Sequence, residues 1–161
     1  MKKHRVLVPT DGSPFSQQIY PQLLKLFIPA QTEVILLRVG ERPSGLVAIP
    51  PKLAAVNVST PMYESGREVD LAVHPIYASQ ERDSAEAELR RLMLSEASEL
   101  HEAGYDVTVE VRFGGRGEEI VKYVKNHPVD LIAMTTHWRS GFQKLIFGSV
   151  AQYVARHVST P

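Results

Sequence analysis

Residues 33–39 form an apolar run in which polar residues do not alternate with apolar ones. The run reads Glu-Val-Ile-Leu-Leu-Arg-Val and ends at Gly40. A strand with one exposed face alternates apolar and polar residues, whereas a parallel strand covered on both faces is apolar almost throughout. We therefore predict a parallel strand over 33–39, and such a strand needs helices on both faces of its sheet.

The other patterns along the chain alternate strands with helices. The run 6–8 predicts a buried strand. Apolar residues then recur at helical spacing from Pro14 to about Ile28, and Pro21 predicts a kink there. Further on, the patterns predict a helix over 79–103, a strand over 106–112, a short helix over about 118–125, a strand over 129–134 and a last helix from about Gly148. This order predicts a parallel sheet with right-handed crossovers.

The predicted helix over 79–103 has an apolar stripe and an acidic face. The stripe comprises Ala85, Leu89, Met93, Ala97 and Leu100. The acidic residues are Glu81, Asp83, Glu86, Glu88, Glu96, Glu99 and Glu102. We interpret these carboxylates as a solvated face. The strand that follows, over 106–112, alternates apolar and polar residues, so we expect it to have one exposed side or to lie at a sheet edge.

Residues 40 to about 78 hold five of the eleven prolines and show no sustained period. We interpret this segment as a proline-rich insertion between the second strand and the second helix of one domain over 1–161. A connection of that length in a compact domain is typically a functional lid, a partner-binding element or a disordered segment. The sequence leaves these three alternatives open.

Composition excludes several classes of protein. The chain has 161 residues, with 18 Lys and Arg against 18 Asp and Glu, and no cysteine. A balanced charge lacks the basic footprint of a nucleic-acid binder. The absence of cysteine excludes a disulfide scaffold, a thiol nucleophile and a Cys-ligated zinc site. No apolar segment reaches the roughly 18 residues of a membrane span, so we expect no membrane partner and a cytoplasmic location.

Known catalytic motifs are not present in the sequence. Gly115 and Gly117 match two glycines of the dinucleotide fingerprint, but Ile120 stands where the third belongs, so a turn is the simpler interpretation. Neither a phosphate loop nor a nucleophile elbow occurs, and the six histidines lack zinc-ligand spacing. The sequence therefore indicates no catalytic residues and no metal site.

The segment 135–150 joins a buried strand to a helix start and combines features that attract anions. Gly148 allows close approach to the backbone, Ser149 offers a hydroxyl and an N–H, and the unpaired amides of a first helical turn attract negative charge. Arg139 and Lys144 add positive charge. An ordinary capped helix explains Gly148 and Ser149 equally well. Likewise, the role of a helix N-cap is enough to explain Asp11, and a place in a loop is enough to explain His137, without any ligand.

Two loops carry a resemblance to a known family. The first is the segment 6–13, Val-Leu-Val-Pro-Thr-Asp-Gly-Ser. The second begins with Asp130-Leu131-Ile132-Ala133-Met134, continues through His137 and Arg139-Ser140-Gly141, and ends with Gly148-Ser149-Val150. Together they resemble the universal stress protein family, over essentially the whole chain. The resemblance implies a flavodoxin-like or Rossmann-like doubly wound α/β fold with strand order 3-2-1-4-5, and frequent homodimers.

The resemblance also implies that the fifth strand is absent or truncated here, because Pro161 stands where that strand would begin. In one branch of the family, ATP is bound by a Gly-x-x-Gly-x-nine-Gly-Ser/Thr motif. Thr135 and Trp138 stand where the first two glycines of that motif belong, whereas Gly148 and Ser149 match it. An indole supplies neither a positive φ nor room for phosphate against the backbone.

Carried over residue by residue, the resemblance implies a site for ATP or AMP, with Mg²⁺ as an accompanying ion. Adenine and ribose would lie near the loop after the first strand, where Asp11 would accept from a ribose hydroxyl. The phosphates would lie against the loop after Met134 and the helix start at Gly148. The cofactor-binding residues so implied are Pro9, Thr10, Asp11, Val39, Thr135, His137, Arg139, Gly148, Ser149 and Val150.

We therefore expect a universal stress protein domain that binds an adenine nucleotide and acts as a stress-response sensing or regulatory module. The alternative is a dimeric interaction module of the same fold, in which Trp138 blocks the phosphate position and the 40–78 insertion contacts a protein partner. A slow ATPase is a third hypothesis and rests on fold analogy alone.

Overall fold

The computed structural model describes residues 3–42, 46–48, 71–73, 75–135 and 148–161. These residues fall into two compact units, one within 1–42 and 86–161 and the other within 43–85. The strands are β1 (His4–Pro9), β2 (Thr32–Gly40), β3 (Leu46–Ala48), β4 (Leu71–Val73), β5 (Asp106–Phe113) and β6 (Leu131–Ile132). The α-helices are α1 (Tyr20–Leu26), α2 (Pro75–Glu102), α3 (Arg116–Asn126) and α4 (Ser149–His157).

The larger unit contains a four-stranded parallel sheet. Its strands lie in the order β5-β2-β1-β6, and every pairing is parallel. Counted along the chain among these four strands, the order is 3-2-1-4. This result confirms the predicted doubly wound α/β fold. Beside β6, the N–H of Ile132 donates to the carbonyl of Pro161 over 2.8 Å.

Helices cover both faces of this sheet, as the apolar run over 33–39 predicts. On one face, Val34 and Leu36 of β2 belong to a buried cluster that includes Tyr20 and Leu23 of α1 and Met93 and Leu100 of α2. On the other face lies a second buried cluster, comprising Leu7, Ile35, Leu37, Ile120, Val121, Tyr123 and Val154. Because successive side chains of β2 enter opposite clusters, the strand must be apolar at nearly every position.

Strand β5 lies at an edge of the described sheet, as its alternating sequence predicts. Val107, Val109 and Val111 pack with the cluster under α2. The residues between them, such as Thr108 and Glu110, are half-buried. The face that packs with this cluster carries the valines, which accounts for the alternation.

The predicted helix over 14–28 is shorter and is divided. A 3-10 helix over Ser16–Ile19 precedes α1, and Phe27 is already extended, with φ of −123°. The predicted kink at Pro21 is wrong, because Pro21 lies in the first turn of α1, where no helical hydrogen bond needs its missing N–H.

The smaller unit contains an antiparallel pair formed by β3 and β4. Most of the proposed 40–78 insertion lies outside the described residues, so the interpretation as an insertion stays a prediction. The helix α2 begins at Pro75, four residues before the predicted start. None of the helices in the described ranges is both long enough and apolar enough to cross a membrane.

Substitution of a buried β2 leucine should destabilise the fold far more than substitution of an exposed one. Leu36 has no exposed surface, whereas Leu26 at the end of α1 is 73% exposed. Leu36→Ala leaves a cavity between α2 and the sheet and should lower the free energy of unfolding by about 2–5 kcal/mol. Leu26→Ala should change it by less than about 0.5 kcal/mol. Urea denaturation measures both, and equal losses would contradict the assignment of this core.

Candidate functional site

A cleft of about 630 Å³ opens at the carboxyl ends of β1 and β2. In the order β5-β2-β1-β6, the chain moves from β1 to β2 and later returns to β6 on the opposite side of β1. The winding direction therefore reverses at β1. In open α/β sheets, ligands bind outside the carboxyl ends of the strands at such a reversal.

The structure brings together eight of the ten residues implied by the family resemblance. They line the cleft and are Pro9, Thr10, Asp11, Val39, Thr135, Gly148, Ser149 and Val150. The other two, His137 and Arg139, lie outside the described residues, as does Trp138.

The sequence reasoning missed several lining residues, some of them in β2, such as Arg38, and others in the helices. Leu89 and Leu92 of α2, Arg116 and Ile120 of α3, and Phe15 before α1 all line the cleft. The position of Arg116 at the start of a helix was a signal that it could lie at the cleft, because a helix that follows a parallel strand begins at the carboxyl edge of the sheet. The sequence does not show which of the helix starts face the same cleft.

The loop after β1 is a tight turn that presents Asp11. Gly12 has φ of +77°, and its N–H donates to Thr10 Oγ1 over 3.1 Å. The N–H of Ser13 donates to Asp11 Oδ1 over 3.0 Å. Asp11 is therefore tied to the turn itself, and Phe15 stands at the N-cap of the 3-10 helix that follows. The Asp11 side chain is exposed to the cleft.

Two opposing effects set the pKa of Asp11. Partial burial raises the pKa, but hydrogen bonds from the hydroxyl and N–H of Ser13 and from Ser16 stabilise the carboxylate and outweigh burial. The net pKa lies below the ordinary value of 3.8. Asp11 is thus a carboxylate at neutral pH, and a carboxylate can only accept hydrogen bonds.

Behind this loop lies a buried ion pair between Arg38 and Glu96. Arg38 Nη2 is 2.5 Å from Glu96 Oε1, and both side chains are 8% exposed. The other carboxylate oxygen, Oε2, accepts from Thr10 Oγ1 over 3.0 Å and from Tyr20 Oη over 2.6 Å. The hydroxyl of Thr10 is therefore used inside the protein, although the residue borders the cleft.

The burial of Glu96 corrects the interpretation of the α2 acidic residues. Glu96 was expected on a solvated face, but the residue is 7% exposed. It lies three residues after Met93 and four before Leu100, so helical spacing places all three on the buried face. The other carboxylates, including Glu81, Asp83, Glu88, Glu99 and Glu102, are exposed as predicted, and Glu86 is half-buried.

Tyr20 stays protonated beside this carboxylate. Burial raises its pKa, and the hydrogen bond to Glu96 raises the pKa further, because a phenolate would face the negative oxygen. The phenol O–H is thus a permanent donor to Glu96 over the range of pH in which proteins normally work.

The start of α4 is an open helix N-terminus on the cleft. Ser149, Val150 and Ala151 form its first turn, line the cleft and bring no acidic side chain. Among the residues that the structure describes, a Cβ added to Gly148 would meet nothing within 4 Å. Amides of a first turn have no intrahelical partner and favour negative charge.

The start of α3 is covered by its own carboxylates instead. The Glu118 side chain lies against Gly115, and the Glu119 side chain lies against Gly114. A Cβ added to either glycine would contact that glutamate. Acidic residues in a first turn stabilise the helix dipole. Arg116, the first residue of α3, extends to the cleft. Among the residues that the structure describes, Arg116 has no carboxylate within salt-bridge distance.

No metal centre is visible in the described part of the chain. Within 3–42, 46–48, 71–73, 75–135 and 148–161, no three Asp, Glu or His side chains are grouped to hold an ion. Among the described residues that line the cleft, Asp11 and Glu41 carry carboxylates.

The chain has a doubly wound α/β fold, and a cleft opens at the reversal point of its sheet. Comparison with known families gives a specific assignment. The model of the Universal stress protein family matches residues 3–161. The chain belongs to the universal stress protein family.

Two curated relatives have sequence similarity to the chain. Universal stress protein Slr1230 from Synechocystis sp. is 36% identical over 62 residues, which are 38% of this chain and 22% of that protein. The chain therefore matches less than a quarter of that relative's length. Universal stress protein MJ0531 from Methanocaldococcus jannaschii is 24% identical over 157 residues, 98% of this chain and 78% of that protein.

Solved structures share the fold at lower sequence identity. The protein MJ0577 has a TM-score of 0.68 at 21% identity, over 100% of this chain and 94% of that one. An Arabidopsis thaliana family member, At3g01520 with AMP bound, has a TM-score of 0.60 at 15% identity, covering 98% and 88%. A universal stress protein in complex with cAMP has a TM-score of 0.57 at 15% identity, covering 99% and 94%.

Substitution of Gly12 should distort the Asp11 loop and destabilise the protein. Its φ is left-handed, and an added Cβ would collide with the Arg38 guanidinium. Gly12→Ala should lower the free energy of unfolding by about 2 kcal/mol or more. Gly148→Ala, whose added methyl group meets none of the described residues, should cost less than about 1 kcal/mol. Urea denaturation compares the two, and a smaller loss for Gly12→Ala than for Gly148→Ala would contradict this geometry.

Proposed function

We propose that this chain binds an adenine nucleotide in the cleft and acts as a stress-response sensing or regulatory module. The observation that carries the proposal is the pairing of two chemistries in one cleft. The Asp11 carboxylate offers an acceptor for hydroxyl groups, and the open start of α4 offers amide donors for an anion. A nucleotide needs both.

The size and lining of the cleft support this proposal. Its volume of about 630 Å³ lies within the usual range of ligand pockets, about 300–1,000 Å³. Apolar side chains such as Phe15, Leu89 and Leu92 border it and suit the faces of a base. The AMP and cAMP complexes of family members with the same fold add support.

Each part of the nucleotide has a complementary region. In this proposal, the base and ribose lie by Pro9 and Val39, and Asp11 accepts from a ribose hydroxyl. The phosphates lie against the amides of Ser149 and Val150, with the Arg116 guanidinium as their counter-charge. A Mg²⁺ ion would enter with the phosphates, because Mg²⁺ in nucleotide sites is held by substrate phosphates, several waters and one or two carboxylates.

The interaction module remains the competing hypothesis, and it predicts no nucleotide binding. Trp138 would block the phosphates in that case, and the 40–78 segment would contact a protein partner. The homodimer expected from the family resemblance likewise stays a prediction. Calorimetric titration with nucleotides separates the two hypotheses.

Calorimetric titration with ATP, AMP and adenosine tests the proposed site. We expect all three to bind, and Asp11→Asn to weaken each by about tenfold, because an uncharged amide is a poorer acceptor for the ribose hydroxyl. Asp106→Asn is the matched control. Asp106 pairs with Lys3 at the amino end of β5, so its substitution should leave affinity unchanged. An absence of heat for all three at millimolar concentration would contradict nucleotide binding and favour the interaction module.

Arg116 should distinguish nucleotides from the nucleoside. Arg116→Ala should weaken ATP and AMP by about tenfold, because a charge-assisted contact to phosphate is lost. Adenosine, which has no phosphate, should bind as it does to the unsubstituted protein. Arg156→Ala, in the last turn of α4, is the control and should change neither affinity. Equal weakening of adenosine and AMP would show that Arg116 does not contact phosphate.

A further inference from the structure

We infer that Glu96 is a positioning residue for the cleft: through Thr10 and Arg38, it fixes the Asp11 loop in the conformation that binds ligand. The inference rests on the proposed function only for the identity of the ligand. Glu96 does not line the cleft, and it acts through residues that do.

The Glu96 carboxylate joins three elements to α2. It accepts from Thr10 at the end of β1, from Arg38 in β2 and from Tyr20 at the start of α1. These are the elements that surround the loop after β1. One buried side chain thus sets the separation of the loop from both the sheet and the helix layer.

Two of its partners then act directly on Gly12, the neighbour of Asp11. Thr10 Oγ1 donates to Glu96 and at the same time accepts from the Gly12 N–H over 3.1 Å. The Arg38 guanidinium packs against the Cα of Gly12 at the place where a Cβ would stand. Gly12 is therefore held by a hydrogen bond and by a packing contact, and both depend on the position of Glu96.

A contribution to stability alone is a weak explanation for this arrangement. The ion pair is buried, whereas Lys3–Asp106, Arg90–Glu86 and Arg5–Glu33 are exposed or partly exposed. The desolvation penalty of two buried charges offsets much of the free energy gained from their attraction. Apolar side chains of similar volume often stabilise a protein as well or better. What apolar residues cannot replace is the acceptor that orders Thr10 and the cation that packs under Gly12.

This contrast gives a test that separates positioning from stability. The double variant Arg38→Met with Glu96→Leu fills the same space with apolar side chains. We expect it to fold with lower stability, because the buried Tyr20 hydroxyl loses its acceptor, so exchange at Gly12 is compared with exchange at a core amide such as that of Leu36 in the same protein. The Gly12 amide should exchange about tenfold faster, because the ordering of its acceptor Thr10 is lost. Adenosine affinity should fall by about tenfold for the same reason.

The control is the double variant Arg5→Met with Glu33→Leu. This ion pair also joins two elements, β1 and β2, but it lies at the amino ends of the strands, away from the cleft. It should leave both the Gly12 amide and the adenosine affinity unchanged. Any comparable effect of the control would show that the loop responds to general loosening of the sheet and would overturn the inference.

The remaining outcomes are also decisive. If the Arg38→Met, Glu96→Leu protein folds, keeps slow exchange at Gly12 and binds adenosine normally, the inference is wrong while nucleotide binding stands. If no nucleotide or nucleoside binds the unsubstituted protein, the proposed function fails, and exchange at Gly12 still decides whether Glu96 fixes the loop. If the double variant does not fold, Glu96→Gln, which keeps the shape and removes the charge, decides by the same two measurements.

Discussion

The Arg38–Glu96 ion pair connects the buried sheet to the loop that borders the cleft. Strand β2 is covered on both faces, so each polar side chain that it places inside requires a partner. Arg38 is placed one residue after Leu37 at the carboxyl end of that strand, and Glu96 reaches it from α2. The same carboxylate also satisfies Thr10 and Tyr20. A single charge on α2 therefore makes it possible for three polar groups to leave water together at the edge of the core.

The sheet could be predicted because few structures are compatible with its apolar sequence pattern. A run such as 33–39 is compatible with a parallel strand covered on both faces, and the structure places Val34 and Leu36 on one side and Ile35 and Leu37 on the other. Glu96 was predicted to be exposed because it is charged. Its helical spacing from Met93 and Leu100 placed Glu96 on the buried face. Arg38, the arginine within the apolar run, is its ion-pair partner. A charged residue in a buried strand indicates a second charge elsewhere, but the sequence does not say which one.

The candidate site was predictable where it follows the strand ends and not where it depends on helix packing. Pro9, Thr10, Asp11 and Val39 are adjacent to strands whose pairing fixes their position. Arg116 depends on how α3 packs on the sheet and on α4. Gly117, interpreted from the sequence as part of a turn, lies inside α3, and a Cβ there would be 2.6 Å from Tyr153 Cδ1. This glycine thus permits close approach of α3 and α4, and that approach brings two helix starts to one cleft.

The proposed anion site requires local positive charge in a chain whose net charge is zero. The opposite charges of Arg38 and Glu96 cancel, so this pair adds little net electrostatic potential to the wall of the cleft. At α3, Glu118 and Glu119 offset the helix dipole at its start. At α4, the first turn carries no acidic side chain, and Arg116 adds a cation nearby in the same cleft. Since Coulomb attraction in a partly desolvated cleft depends on the nearest charges, the start of α4 and the Arg116 guanidinium favour an anion beside them, whereas the carboxylates of Asp11 and Glu41 disfavour an anion near their own positions.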